Sequence, residues 1–250
     1  MQPSGSIFTD LTGRFPYRSS RGFEYIMCTR CSDSNYIHVE PLRSRTAREI
    51  VTAFEKSLKY LESSGIVHKK VKLDNETSNL FEDTIKALKL SVEYVSTDNH
   101  RQNPAERDIR TFKNHFIASL CTAHPEFPMN EWDLLLPQVE MTLNMMRGSQ
   151  TKPDISAYEH LHGKYDYLRN PIGPIGTRVI IYEKPDDRGT WAPHGTKGFY
   201  IGPSMDHYRS FRIFVESTRR IRVTSSVAWH PENESTEQDE FTSPEIDNIT

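Results

Sequence analysis

Apolar positions recur with one period in the first forty or so residues, a second in the middle of the chain and a third after residue 170. Early on, IFTDL, GFEYIMCTRC and NYIHVEPL are β-prone runs; the last two are joined by the turn-forming Ser32, Asp33 and Ser34, which predicts antiparallel strands. From 46 to 63 the period changes: Ile50, Val51, Phe54, Leu58 and Leu61 recur at helical spacing, and Gly65 supplies a stop. VHKKVKL then reads as a strand, Leu80, Phe81, Ile85 and Leu88 as a helix, and SVEYV as a short strand. A longer helix opens at Pro104, a residue suited to a first turn, with Ile109, Phe112, Phe116 and Leu120 as its buried stripe. Residues 132–146 predict another helix, kinked or restarted near Pro137, with Leu134, Leu135, Val139, Leu143 and Met146 facing the core; 155–161 predict a short helix closed by Gly163. NPIGPIG, with two Pro and two Gly in seven residues, marks a boundary. Beyond it TRVIIYE, TKGFYIG, YRSFRIFV and RRIRVTSSVAW read as strands, with turns at 185–189 and 203–206, enough for a small SH3-like barrel. Strands alternating with helices make the first part α/β, a mixed sheet flanked by helices.

The chemistry sits at the ends of these elements. Asp10 follows a short apolar run, Asp74 ends VKLD, and Glu106 enters the helix that starts at Pro104. Three carboxylates delivered by different elements can hold two divalent cations for phosphodiester chemistry, because Mg²⁺ prefers hard oxygen ligands. Arg110 and Lys113 fall on the face of Glu106, at i+4 and i+7. They serve either as phosphate contacts or as a surface ion-pair ladder with Glu106. Asn75 either orients a ligand or caps a turn.

FTDLTGRFP, the strands around YIMCTR and NYIHVEPL, VKLDNE and above all NHRQNPAERDIRTFKNHFIASL resemble the integrase of copia-type retrotransposons. The similarity continues through EWDLLLPQVEMTLNMMRGSQTKPDISAYEHLHG and the GTRVIIYEKPDDRGTWAPHGTKGFYIGPSMDHYRSFRIFV strands, covering about residues 8 to 230. It implies a ribonuclease-H-like catalytic core over 1–170, an SH3-like barrel over 171–230, and a DDE triad of Asp10, Asp74 and Glu106 acting as both catalytic and metal-holding residues. It further implies two Mg²⁺ (or Mn²⁺) ions, 3′-end processing and strand transfer of DNA, a homo-oligomer, and action in the nucleus. His100, Arg101, Arg107, Arg110 and Lys113 are then the expected DNA contacts. Asp74 and Glu106 are separated by 31 residues, a little fewer than in the wider integrase family. The sequence carries no paired His and Cys module ahead of the core and no protease or polymerase motif, so a piece of a polyprotein, a decayed copy or a host-adopted gene is expected. A stand-alone ribonuclease-H-type nuclease and an inactive DNA-binding remnant are the alternatives.

Composition changes this picture in three places. The net charge of −3 hides a division: 231–250 hold seven of the 34 acids and no Lys or Arg, leaving 31 bases against 27 acids in 1–230. That tail, polar and acidic, is expected to be disordered and to serve as a linker. Three cysteines do not complete a disulfide set, and the lone Cys28–Cys31 CxxC reads as two packing residues on a strand unless a second ligand pair joins it; Cys121 reads as packing. No apolar run reaches the roughly 18 residues of a membrane span, and the first residues carry no secretory signal, so an intracellular protein with neither a membrane partner nor a small-molecule cofactor is expected. In the barrel, Tyr200, Tyr208, Phe211 and Phe214 interleave with Arg209, Arg212, Arg219, Arg220 and Arg222, a pattern that suits a nucleic-acid surface or a half-buried sheet equally. Trp191 reads as a packing anchor.

Overall fold

The structure is a computed structural model, and it describes residues 3–73, 78–94, 104–183 and 194–230. Five strands, β1 (Ser6–Leu11), β2 (Tyr25–Cys31), β3 (Ile37–Leu42), β4 (Lys70–Leu73) and β5 (Ser91–Tyr94), form one mixed sheet in the order β3-β2-β1-β4-β5. The first three pair antiparallel through short connections, whereas β4 runs parallel to β1 and β5 parallel to β4. Parallel pairing requires a crossover, and two helices supply it: α1 (Ala47–Glu62) between β3 and β4, and α2 (Asn79–Ala87) between β4 and β5. Gly65 takes φ +82° just past α1 and donates its N–H to the Glu62 carbonyl at 2.9 Å, a left-handed ending that favours glycine. Ser78 caps α2, its Oγ accepting from the Phe81 N–H.

Strand alternation divides the core into two layers. Met27 and Cys31 of β2 face Phe54, Leu58 and Phe81 of α1 and α2, while Ile26 and Cys28 face the opposite side, where Phe112, Phe116 and Trp132 pack. The two CxxC thiols are therefore buried on opposite faces of one strand and cannot share an ion or a disulfide, which leaves them as packing residues. The second layer comes from α3 (Pro104–Leu120), a 3₁₀ helix (Met129–Leu135) and α4 (Leu136–Met145); α5 (Ala157–His162) follows and buries Ala157, Tyr158 and Leu161 in the first layer. Pro137 stands in the first turn of α4, where its missing N–H leaves no intrahelical bond unmade, so the predicted helix restarts there. Met146, expected in the core, is 69% exposed because α4 stops one residue before it.

A second sheet, wholly antiparallel, contains β6 (Arg178–Tyr182), β7 (Gly195–Pro203), β8 (Phe211–Val215), β9 (Arg220–Thr224) and β10 (Val227–His230) in the order β10-β6-β7-β8-β9, compatible with an SH3-like domain. The predicted single strand over RRIRVTSSVAW is two: it breaks at Ser225 and Ser226, and its second half crosses to pair with β6. This sheet shares a core with the first. Ile175, Phe199, Ile201 and Phe214 lie in the same buried cluster as Trp132 and Val139, and Gln138 of α4 bonds both the Gly173 carbonyl (2.6 Å) and the Tyr200 hydroxyl (2.7 Å). No helix among the described residues is long and apolar enough to cross a membrane.

Candidate active site

β1 and β4 run parallel, with Phe8 opposite Lys72, so both strands end at the same edge of the sheet. Asp10 stands there, one residue from the end of β1, half-buried, with its Oδ1 accepting the Leu11 N–H at 2.7 Å. β4 ends at Leu73, and Asp74, the next residue in sequence, lies outside the described residues, as do Asn75, His100, Arg101, Trp191 and the acidic tail. A cleft of about 250 Å³ lies between Asp10, Arg45, Leu73 and Ser78, bordering the sequence gap that contains Asp74. Among the described residues no group of three or more His, Cys, Asp or Glu side chains could hold a metal.

Glu106 belongs to the first turn of α3, and this helix packs on β1 and β2. Phe112 and Phe116 point inward with Ile109 and Leu120 partly buried, so the expected stripe is the one that docks. Glu106, Arg107, Arg110 and Lys113 are all exposed, and among the described residues no ion pair joins Glu106 to Arg110. Cys28, opposite Asp10 in the register, has its thiol pushed well up, first by burial and then by the negative charges of Asp10, Asp108 and Glu140, with Lys113 pulling the other way. Asp10 and Lys113 are thus both within electrostatic reach of one thiol on the α3 side of the sheet.

Three residues that sequence reasoning did not single out, Asp108, Arg30 and Arg147, meet where this helix joins the sheet. Asp108 is 4% exposed; Arg30 of β2 donates from Nε to its Oδ2 at 2.5 Å, and Arg147 lies 3.6 Å from its Oδ1. Burial pushes the Asp108 carboxyl up against the pull of Arg30 and Arg147. The Arg30 guanidinium also lies over the Phe8 ring, 4.5 Å from its centroid, with Lys72 Nζ at 5.5 Å from the same ring. The only sequence signal for Asp108 was a charge placed one position from the apolar stripe.

The second sheet resolves part of the aromatic and basic pattern. Tyr200 and Phe214 are buried, and Phe211 packs on Trp229 with ring centroids 5.2 Å apart, so these aromatics are core. Arg219 bonds Glu131 at 2.8 Å, and Arg222 bonds Glu183 through both Nη atoms at 2.5 and 2.8 Å. Arg212 is partly buried, its guanidinium pulled down by that burial, while Tyr208, Arg209 and Arg220 are exposed.

No protein-family model matches the chain, and no curated protein matches its sequence. Among solved structures, a chain of the simian T-cell lymphotropic virus intasome in complex with the PP2A regulatory subunit B56 gamma is similar at a TM-score of 0.51 and 14% identity, over 92% of this chain and 76% of that one. The catalytic core domain of BIV integrase matches at 0.46 and 16% identity (63% of this chain, 93% of that one). The HTLV-2 integrase catalytic core in complex with magnesium matches at 0.47 and 16% identity (65% and 97%). Sheet order, flanking helices and the fold likeness to the intasome chain agree: this chain has a ribonuclease-H-like fold, a mixed five-stranded sheet flanked by helices, followed by a second antiparallel sheet.

Proposed function

We propose that this chain is a DNA integrase core of the copia-type retrotransposon kind, with residues 1–170 as the catalytic unit, 171–230 as an SH3-like appendage, and Asp10, Asp74 and Glu106 as its catalytic acids. The observation that supports it most is that Asp10 stands at the end of β1 and Glu106 in the first turn of α3, a helix that packs against β1 and β2. Their carboxylate oxygens fit Mg²⁺ or Mn²⁺, which take hard oxygen donors, and Asp74 would add a third. When bound, two such ions supply the Lewis acidity that two-metal phosphoryl transfer needs.

The chain's own residues do the rest. Asp10 would bring its carboxylate to the site from a strand and Glu106 from a helix. Arg107, Arg110 and Lys113, exposed on α3, would grip phosphates and fix the position of a DNA end without reading its sequence. His100 and Arg101 would extend that contact. Processing would place water, and joining a 3′-hydroxyl, against the scissile phosphate. Joining two ends in one event calls for at least two copies of the chain, and the nucleus is the compartment where such a reaction would meet its target.

The test is strand transfer and nicking of a labelled blunt duplex by purified protein with Mg²⁺ or Mn²⁺ and with a chelator, beside Asp74→Asn and Glu106→Gln. Metal-dependent products lost in both variants are expected. Products that survive either substitution would refute the triad, and cleavage confined to RNA–DNA hybrids would favour a ribonuclease-H-type nuclease.

A further inference from the structure

Asp108 is two positions after Glu106 on α3, so the two side chains are turned about 200° apart around the helix and about 3 Å along it. Glu106 is exposed and Asp108 is buried. The buried carboxylate is gripped from two directions. Arg30 reaches it from β2, where it is the register partner of Phe8 on β1, two residues before Asp10. Arg147, just past α4, reaches it while bonding the Asn35 carbonyl (3.0 Å) and side-chain oxygen (2.6 Å) in the turn after β2. Replacing such a buried charged cluster by apolar side chains is often neutral or stabilising, so stability alone is a weak account of it. What it supplies is a fixed point: a directional hydrogen bond from Arg30 on the sheet and a longer ion pair from Arg147, just past α4, limit how far α3 can slide or rotate at its amino-terminal end. Phe112 and Phe116 bind the helix further along, and nearer its start only the small Ala105 is buried and Ile109 partly buried, so Asp108 is the polar anchor of that end.

We propose that Asp108 is a positioning residue: held between Arg30 and Arg147, it sets the height and rotation of the first turn of α3, and with them the direction in which Glu106 projects. The proposal rests on the assignment of Glu106 as a metal-holding acid. A slide of one residue would move Glu106 by about 1.5 Å and turn it by about 100°, enough to lose a ligand from an octahedral shell.

The experiment uses the full chain with Asp108→Asn, Asp108→Glu and the double variant Arg30→Met with Asp108→Leu. Three quantities are measured: amide hydrogen exchange of residues 108–112, Mn²⁺ binding from the free-ion paramagnetic resonance signal, and affinity for a duplex DNA. In Asp108→Asn the exchange is expected to speed about tenfold and Mn²⁺ binding to weaken about tenfold, the usual cost of removing a group that orients a ligand, with DNA affinity within about twofold. Asp108→Glu is expected to recover most of both losses. The apolar double variant is expected to fold as stably as the parent without regaining Mn²⁺ affinity, a split that a purely structural role would not produce. Unchanged exchange in Asp108→Asn would overturn the proposal and leave the integrase assignment standing, and so would full Mn²⁺ affinity in a variant whose first turn has loosened. If the parent chain binds no Mn²⁺ while Asp108→Asn still loosens the turn, the integrase assignment fails and the positioning of the turn survives.

Discussion

Removing the carboxylate from Glu140 should abolish a pH dependence of stability that the parent chain shows between about pH 6.5 and 9. Glu140 of α4 is 6% exposed and satisfies three donors at once: the His38 Nδ1 at 3.0 Å, the Tyr36 hydroxyl at 2.8 Å and the Val39 N–H at 3.0 Å. His38, on β3, is 7% exposed, stacks on Tyr60 with ring centroids 4.2 Å apart, and bonds Glu40 through Nε2 at 3.2 Å. Burial alone would drive its pKa down. The charge and hydrogen bond of Glu140, reinforced by Glu40, outweigh that and raise it from 6.5 to about 9. The folded imidazolium therefore holds its proton more tightly than the unfolded one. Its contribution is complete below pH 6.5 and disappears as pH rises through 9; at 1.36 kcal/mol per pH unit it amounts to about 3 kcal/mol at most. Urea unfolding followed by tryptophan fluorescence at pH 6, 7, 8 and 9 measures this directly. The parent should lose stability steadily over that range. Glu140→Gln keeps the shape but removes the charge, so burial dominates and the slope should vanish, with the variant less stable than the parent at pH 6 and closer to it at pH 9. A parent whose stability is flat from pH 6 to 9, or a Glu140→Gln variant that keeps the slope, would refute this electrostatic account.

Three further outcomes are expected. His68 is buried, neither of its ring nitrogens has a hydrogen-bond partner among the described residues, with the Glu62 carboxylate 3.9 Å away, and burial holds its pKa below 6.5, so the unfolded chain takes up the proton first. Stability should fall as pH drops below 6.5, and His68→Phe should reduce that fall in acid denaturation scans. Gly176 has φ +71°, and a Cβ there would lie 2.4 Å from the Ala123 Cβ, so Gly176→Ala should destabilise by about 2 kcal/mol or more in urea unfolding; an unchanged midpoint would contradict the close approach. Arg110→Ala with Lys113→Ala should weaken duplex binding and lower the slope of log K against log salt by about one to two, since each phosphate contact contributes about 0.9; an unaltered slope would remove these residues from the DNA surface.

What the sequence made legible was local. The stripe Ile109, Phe112, Phe116 and Leu120 placed α3, the turn-forming Ser32, Asp33 and Ser34 made β2 and β3 antiparallel, and Gly65 and Gly163 marked helix ends that the structure keeps. Asp10 and Glu106 were chosen as the ends of elements, and the structure puts them on a strand edge and on the helix packed against it. What stayed hidden depends on distance along the chain. Arg30 and Asp108 are 78 residues apart and Tyr36 and Glu140 are 104, so no periodicity connects them. The same holds for the second sheet. NPIGPIG reads as a separator, yet Ile175 within it is buried against the first core, because a loop rich in Gly and Pro can turn sharply enough to press one side chain inward. Interleaved Arg and aromatic residues had two meanings until burial and pairing were known; Tyr200 and Phe214 proved to be core, and Arg219 and Arg222 bind carboxylates.

Cys28 and Cys31 lie one on each side of the central sheet, and Cys121 is exposed. The three thiols form a natural set of reporters on opening events. A thiol reagent added under native conditions should modify Cys121 at once, Cys31 only when the α1 and α2 layer lifts, and Cys28 only when α3 does. Mass resolution of the singly and doubly modified species would give the order in which the two layers part, from a chain with no residue altered. Modification of Cys28 well ahead of Cys31 would mean that the helix carrying Glu106 breathes on its own, while simultaneous modification would mean that both layers open only with the whole fold.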